Sequence, residues 1–493
     1  MKISELIKNI DFIKKNYVNE DITGITDNTA EVKQKFLFVA KKGEKIDSHN
    51  FICQAIKLGA KAVIHSYELE KYYDNIIYLR VPDKENITDT IIKLCQNFYG
   101  NPGKKLTIIG ITGTNGKTTI ATLLKYIINN SGKKCLQIGT INANIGKKIF
   151  KINNTTPGPF VLYKLFKEAV DRKAEYAVME ISSHSIKQNR LDLSEIDCAV
   201  YTNLTQDHLD YHKTMQDYIN AKSMLFKYMK KNGTAIVNND DKYFKNIIDN
   251  CFGKKIITYS INNKSDITGI PIECSLTANK FHIKYKNKVI EIKSKLIGHH
   301  NIYNILAVFG LSKFLRIEEN VFVKLINKFC NVPGRLDKVK GKNGIHIFID
   351  YAHTPDALEN VLNALTKLKS GNKLITVFGC GGDRDRLKRP LMGKIAVDKS
   401  DYAIITSDNP RSEKPTDIIN EIKTGCKGYN NYCVIENRTE AIKKAIISAS
   451  KNDIVLIAGK GHENYQIIGN KTIEFDDKKV AMKFIKTKKS FKN

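Results

Sequence analysis

A chain of 493 residues, 42% hydrophobic and 9% aromatic, has material for about three ordinary domains, each able to bury a core. Its formal charge of +29 comes from lysines scattered among Asn and Ile rather than gathered with aromatics, which argues for a solvated surface and against a nucleic-acid partner. No apolar run approaches a membrane span, and Met1 to Lys15 carries charges throughout, so a cytoplasmic protein without membrane insertion is expected. The ten cysteines, from Cys53 to Cys433, include no Cys-x-x-Cys pair, so buried reduced thiols are expected rather than a zinc site or a disulfide framework.

In chain order, a small N-terminal region is closed by the turn signal Asn101-Pro102-Gly103. The apolar run Leu106 to Ile109 then predicts a buried strand, and Gly110 leads on to Gly113-Thr114-Asn115-Gly116-Lys117-Thr118-Thr119 at the mouth of a helix. Such a loop suits a nucleoside triphosphate. Gly113 and Gly116 let backbone N–H groups close on an anion, Lys117 adds a point charge, and the Thr118 hydroxyl is able to ligate Mg2+. A strict phosphate loop has glycine at position 111, where Ile111 stands. An ordinary strand–turn–helix corner is therefore the competing reading.

Further strands are predicted at Tyr176 to Met179, Cys198 to Tyr201 and Thr234 to Val237. Glu180 and Ser182-Ser183-His184 follow the first, and Thr202 to His208 follows the second. Carboxylate and imidazole at strand ends beside a phosphate loop can complete a Mg2+ site, but His184, His208 and His212 fit local hydrogen bonding equally well. Past Val332-Pro333-Gly334, strands at His346 to Ile349, Leu374 to Phe378, Tyr402 to Thr406 and Ile454 to Ala458 alternate with helix-like runs. The pattern predicts an α/β protein with parallel sheets covered on both faces, divided at 1–100, 101–332 and 333–493. The basic tail from Lys478 to Asn493 reads as a fraying terminus.

The phosphate loop, Asn154-Thr155-Thr156-Pro157, Met179-Glu180-Ile181-Ser182-Ser183-His184, Asn203 to His212 and His300-Asn301-Ile302-Tyr303-Asn304 occur in one order that resembles the Mur ligases. These are ATP-dependent amide-forming enzymes of peptidoglycan precursor synthesis. Gly381-Gly382-Asp383-Arg384-Asp385, Lys388-Arg389-Pro390, Asp408-Asn409-Pro410-Arg411-Ser412-Glu413 and Gly459-Lys460-Gly461-His462-Glu463 are similar to the branch that adds the third residue of the stem peptide. The resemblance implies three domains: one for a uridine nucleotide, a central P-loop ATPase-type domain, and a C-terminal Rossmann-like domain for the incoming amino acid. It also implies the chemistry. ATP converts the D-glutamate side-chain carboxylate of UDP-N-acetylmuramoyl-L-alanyl-D-glutamate to an acyl phosphate, which the amine of meso-diaminopimelate attacks; charge neutralisation and alignment do most of the work.

Residue by residue, Gly113 to Thr119, Asn301, Asn304, Arg335 and Asp350 match the family's ATP positions, with Lys117 catalytic. Glu180 and His208 match its metal ligands beside Thr118. Lys222 matches a position carbamylated in similar enzymes, where a carbamate binds a second Mg2+; by residue type alone it is one more surface lysine. Thr155, Thr156, Ser182, Gln188 and Arg190 match contacts to the muramoyl dipeptide. Asn28, Glu44, Lys45 and Ile46 align with uridine-diphosphate contacts, although the family's Asp-Gly-His appears as Asp47-Ser48-His49. Arg384, Asp408, Asn409, Pro410, Arg411, Gly459 and Glu463 match the diaminopimelate pocket, with Arg411 for the distal carboxylate and Glu463 for the distal ammonium. Lysine-adding relatives usually lack that arginine. The competing functions are the same reaction with L-lysine, folylpolyglutamate synthase, and a basic nucleic-acid-binding ATPase; a monomer is expected.

Overall fold

Three sheets in succession organise the residues described in the computed structural model, 1–13, 18–43, 46–82, 87–207, 209–341 and 344–487. The first is parallel, with β1 (Gly24–Thr26), β2 (Phe36–Val39), β3 (Ala60–His65) and β4 (Ile77–Arg80) in that order. Side chains alternate across it with period two. Leu37 and Val39 join the cluster that contains the helix Ile87–Tyr99, and Phe38 and Ala40 join the one that contains the helix Ile52–Lys57.

The second sheet has eleven strands: β5 (Thr107–Thr112), β6 (Cys135–Ile138), β7 (Ala143–Ile145), β8 (Lys148–Phe150), β9 (Tyr176–Glu180), β10 (Ile196–Tyr201), β11 (Thr234–Asn238), β12 (Lys255–Ser260), β13 (Ile267–Cys274), β14 (Asn279–Tyr285) and β15 (Lys288–Ser294). Its order is β15-β14-β13-β12-β11-β10-β5-β9-β6-β7-β8. The strands from β13 to β6 in that order pair in parallel, and β14–β15 and β7–β8 add antiparallel edges. These edges escape a search for apolar runs because they are half-solvated: Phe281 and Ile283 are buried, while the residues between and beside them turn outward.

Helix Lys117–Asn130 buries Ile120, Leu123, Leu124, Ile127 and Ile128, at helical spacing, in a cluster shared with helix His299–Phe314. Helices Pro159–Asp171 and Met215–Tyr228 cover the opposite face, and helix Ile87–Tyr99 packs on Pro159–Asp171. The first unit therefore shares its core with the second.

The third sheet comprises β16 (Asp337–Val339), β17 (His346–Asp350), β18 (Leu374–Phe378), β19 (Tyr402–Ile405), β20 (Tyr432–Val434) and β21 (Ile454–Ala458), in the order β16-β17-β21-β18-β19-β20. Only β16 runs antiparallel. Helices Pro355–Thr366, Lys388–Lys399 and Pro415–Thr424 lie on one face, and Arg438–Ser448 and Asp477–Thr487 on the other, the doubly wound arrangement of a Rossmann-like unit. A hairpin, β22 (Tyr465–Ile468) and β23 (Lys471–Glu474), follows β21.

Two expectations need correction. The basic tail does not simply fray: helix Asp477–Thr487 is docked through Ala481 and Ile485, and Lys478 Nζ lies 2.8 Å from Asp337 Oδ2. Residues 488–493 lie outside the described set. The thiols are all free, but Cys53 and Cys330 are exposed. Among the described residues, no helix is long and apolar enough to cross a membrane.

Candidate active site

Strand β5 continues through Ile111 and Thr112, with Ile111 paired in register to Glu180. Position 111 thus belongs to the buried strand, and the loop begins only at Gly113, so no glycine is needed before it. Gly113 and Gly116 have φ of 140° and 90°. A Cβ on Gly113 would sit 1.8 Å from Thr202 Oγ1, and one on Gly116 would sit 2.5 Å from Asn304 Oδ1. Thr114 N–H donates to Asn203 O at 2.8 Å and Asn115 N–H to Asn203 Oδ1 at 3.0 Å, so the residues after β10 brace the loop from behind. The anion-facing N–H groups are then those at the start of helix Lys117–Asn130, which have no partner within the helix.

Two lysines, Lys117 half-buried and Lys222 buried, converge on one carbonyl there. Lys117 Nζ donates to Gly113 O at 2.8 Å and to Thr114 O at 2.7 Å, and Lys222 Nζ donates to the same Gly113 O at 3.0 Å. Burial pushes Lys117 down from its ordinary value against the opposing pull of Glu180 and Asp207. Burial, reinforced by the charge of Lys117, pushes Lys222 down much further. Lys222 is therefore not the surface lysine its residue type suggests; it is 1% exposed, with Nζ 4.6 Å from the centre of the Tyr218 ring.

Beside this pair, Thr118 Oγ1 donates to Glu180 Oε2 at 2.8 Å. Thr140 holds the same carboxylate through its N–H at 2.9 Å and its hydroxyl at 3.0 Å. One hydroxyl and one carboxylate in contact form a hard oxygen donor set that fits Mg2+, an ion that completes its shell with phosphate oxygens and water. Among the described residues no three His, Cys, Asp or Glu side chains gather as a metal cage. His208 lies outside the described residues. His212 takes the local role, with Nε2 2.8 Å from Ser183 Oγ, and the His184 ring stacks on Tyr211 with centroids 4.0 Å apart.

The third unit closes over this end. Arg335 Nη2 donates to Thr118 Oγ1 at 3.3 Å while its guanidinium lies over the Tyr351 ring. Asp350, at the end of β17, accepts from Leu336 N at 2.7 Å and Ala352 N at 2.9 Å, and burial raises its pKa against the charge of Arg335. Asn304 donates to Asn301 Oδ1 at 2.8 Å, so Asn301 braces Asn304 against the loop. Asp356 Oδ2 accepts from Asn115 Nδ2 at 3.0 Å and Thr205 Oγ1 at 2.7 Å, tying the phosphate loop to helix Pro355–Thr366. A cavity of about 30 Å³, lined from both units by Ile297, Asn301, Arg335 and Phe348, has room for little more than one water.

A second group sits at the carboxyl end of β9. Thr156 Oγ1 donates to Glu180 O at 2.8 Å and accepts from Ser182 N at 3.1 Å, and Arg190 Nη1 donates to Thr156 O at 2.9 Å. Gln188 Oε1 accepts from Arg190 Nη2 at 2.6 Å, and Thr155 Oγ1 lies 3.2 Å from Thr140 Oγ1. Thr155, Thr156, Ser182, Gln188 and Arg190 thus adjoin the Glu180 site. In the first unit, Asn28 caps a short 3-10 turn and Ile46 is exposed; Glu44 and Lys45 lie outside the described residues. Ser48, in the place of the family's glycine, bonds back to Lys41 O at 2.7 Å, while His49 Nδ1 stays 2.6 Å from Asp47 Oδ1.

At the carboxyl edge of the third sheet, Gln466 Nε2 donates to Asp408 O at 2.6 Å, and Gly459 approaches so closely that a Cβ there would lie 2.8 Å from Asp408 Oδ2. Asn409 Nδ2 donates to Glu463 Oε2 at 3.0 Å. Arg411, in the left-handed region at φ 53°, donates from Nη1 to Gly382 O at 2.6 Å. Gly382 N–H returns a bond to Asn409 O at 2.9 Å, and Pro410 O packs against Gly382. Arg384 is exposed and donates to Asp383 O. Behind them the fully buried Arg389 grips Glu413 with two bonds of 2.8 Å and Glu421 with a third. Arg438 and Asp477, both fully buried, pair at 2.8 Å, and Arg438 Nη2 also donates to Ala458 O at 2.9 Å.

Thr140, Asp356, Arg438 and Lys460 are absent from the sequence-derived set. Only Lys460 had a local signal, lying inside the Gly459 to Glu463 motif; the others act across the fold.

A family model described as the Mur ligase middle domain matches residues 111–312, and one described as the Mur ligase glutamate ligase domain matches residues 334–461. The UDP-N-acetylmuramoyl-L-alanyl-D-glutamate–2,6-diaminopimelate ligase of Caldanaerobacter subterraneus subsp. tengcongensis is 41% identical, covering 98% of this chain and 99% of the relative. A solved structure of a ligase of the same description is 32% identical with a TM-score of 0.70, covering 99% of each chain. Folylpolyglutamate synthase of Mycobacterium tuberculosis, complexed with ADP and AMPPCP, shares the fold alone, at 16% identity, TM-score 0.62, 75% of this chain and 92% of that one.

Proposed function

Because the chain belongs to the Mur ligase family, we propose that it joins meso-diaminopimelate to UDP-N-acetylmuramoyl-L-alanyl-D-glutamate at the expense of ATP, in peptidoglycan precursor synthesis. The observation that carries this is the near-complete match, over 98% of this chain and 99% of the relative, to a ligase of that description. The folylpolyglutamate synthase likeness leaves a quarter of the chain uncovered.

ATP with Mg2+ supplies the activation: its terminal phosphoryl group passes to the D-glutamate side-chain carboxylate, and the acceptor's amine then displaces phosphate from the acyl carbon. The chain's own residues bind, align and exclude water. The N–H groups at the start of helix Lys117–Asn130 and the Lys117 ammonium neutralise the phosphates, an electrostatic task suited to a buried site. Thr118 and Glu180 would hold the metal, with His208 as a further ligand, and Thr140 keeps Glu180 aimed at it. Burial favours the neutral amine of Lys222, the form that adds CO2 through a new N–C bond with loss of one proton; the resulting carbamate would give a second metal an oxygen ligand.

Thr155, Thr156, Ser182, Gln188 and Arg190 present the dipeptide carboxylate to this centre, and Asn28, Glu44, Lys45 and Ile46 take the uridine end. Asn301, Asn304, Arg335 and Asp350 close on the nucleotide. The narrow cavity beside Asn301 and Arg335 supports a third unit that opens to admit the nucleotide and closes to keep water from the acyl phosphate. Arg384, Asp408, Asn409, Pro410, Arg411, Gly459 and Glu463 receive the acceptor. The working divisions are 1–100, 101–332 and 333–493, and the enzyme acts as a cytoplasmic monomer.

The test is phosphate release from ATP with Mg2+ and the UDP-linked dipeptide, comparing meso-diaminopimelate with L-lysine. Strong preference for diaminopimelate is expected. Preference for lysine would overturn the acceptor assignment, and no release with either would overturn the reaction.

A further inference from the structure

Lys460 lies within the acceptor motif, and its side chain is completely buried. Lysine is almost never withdrawn from water without partners, and here the partners are informative. Nζ donates to Asn409 Oδ1 at 3.0 Å and to Glu463 Oε2 at 3.2 Å, with the Tyr465 ring 5.6 Å away. Asn409 closes the triangle by donating from Nδ2 to the same Glu463 Oε2 at 3.0 Å, while its Oδ1 also accepts the Ile467 N–H at 3.0 Å. The amide of Asn409 is therefore held in one orientation, and Glu463 Oε2 is taken by two protein donors. Glu463 Oε1 takes part in neither of these bonds.

We propose that Lys460 is a positioning residue that aims Glu463 at the distal ammonium of the acceptor and biases the pocket toward an end carrying both an ammonium and a carboxylate. This rests on the acceptor assignment made above. The bias is electrostatic. Asp408 and Glu463 are the carboxylates around Tyr465, and Lys460 offsets one of them from inside the protein. Removing that charge makes the lining one unit more negative. A lone ammonium, as on L-lysine, then gains relative to an ammonium accompanied by a carboxylate.

Lys460→Met keeps an unbranched side chain one heavy atom shorter and removes the charge and the donors. Its KM for meso-diaminopimelate is expected to rise about tenfold or more, while KM for ATP and for the UDP-linked dipeptide shifts less than about twofold. The diaminopimelate-to-lysine ratio of kcat/KM falls, and Lys460→Arg recovers part of the loss. Adding Lys460→Met to Glu463→Gln costs less than adding it to the wild type, because both act through one carboxylate. An unchanged acceptor KM, a parallel rise in all three KM values, or additive losses would each overturn the proposal. Should Lys460→Met not fold, Lys460→Gln, which removes the charge and keeps a donor, must still lower the diaminopimelate-to-lysine ratio of kcat/KM. A wild-type enzyme that used neither diamino acid would instead defeat the functional reading on which the proposal rests.

Discussion

At the nucleotide end, the decisive groups come from one continuous loop and the strand ends beside it, and backbone carbonyls carry much of the bracing: Gly113 O takes two lysines, and Asn203 takes one loop N–H on its carbonyl and a second on its side chain. At the acceptor end, the segments after β18, β19 and β21 meet through side chains: Arg389 with Glu413, and Lys460 with Asn409 and Glu463. Backbone geometry cannot be retuned by single substitutions, whereas side-chain bridges can. A family that keeps one chemistry while changing its acceptor gains from that division, since the pocket can vary without disturbing the phosphate loop.

The contrast can be broken most sharply at the lysine pair. Lys117→Ala is expected to lower kcat roughly a thousandfold, the scale of losing one preorganised charge donor, with the fold intact by circular dichroism. Lys222→Ala is expected to be nearly inactive, down about a hundredfold or more, and to recover partly with short-chain carboxylates. Full activity without added carboxylate would remove Lys222 from the chemistry. At the other end, Arg411→Ala is expected to raise the KM for diaminopimelate by about ten- to a hundredfold, the scale of a charge-assisted bond worth roughly 1.5–3 kcal/mol. ATP binding, read by calorimetry, should hold; parallel loss of both ligands would erase the division between the two ends.

Smaller effects sharpen the comparison. Asp356→Ala removes the two bonds that join helix Pro355–Thr366 to Asn115 and Thr205, and a change of about fivefold in KM for ATP is expected, with a more open envelope in small-angle scattering. Smallest is a pH effect. Hydrogen bonds from Arg389 hold Glu413 down to about 2, against an ordinary 4.5, outweighing the upward push of burial. A depressed carboxylate contributes its full stability above the unfolded value and loses it as pH falls toward the folded one. The acceptor loops should therefore loosen between about pH 4.5 and 2, and the melting-temperature gap between wild type and Glu413→Gln should narrow across that window. A constant gap would show that the bridge is not what holds the loops.

Legibility followed the same division. Some buried parallel strands declared themselves as continuous apolar runs, and Leu374–Phe378 and Ile454–Ala458 have the bounds that those runs predict, whereas the largely buried parallel strands Phe36–Val39 and Cys135–Ile138 were not among the predicted ones. The antiparallel edges did not, because one face of each meets water and dilutes the apolar signal. Glu180, Lys117 and Thr118 sit in motifs whose spacing states their chemistry. Thr140 and Asp356 do not, because their importance lies in what they reach: a carboxylate forty residues along for Thr140, and a loop 241 residues back for Asp356.

The order of apolar runs, turn signals and phosphate-loop residues was enough to determine the α/β class, the nucleotide loop and the family resemblance, since each depends on contacts within a few residues. Only the tertiary structure decided that Ile111 belongs to the strand, that Lys222 is buried against Lys117, that the basic tail docks, and that Lys460 is buried against Asn409 and Glu463. Burial and electrostatic coupling depend on which distant segments meet, and a linear order of residue types does not contain that information.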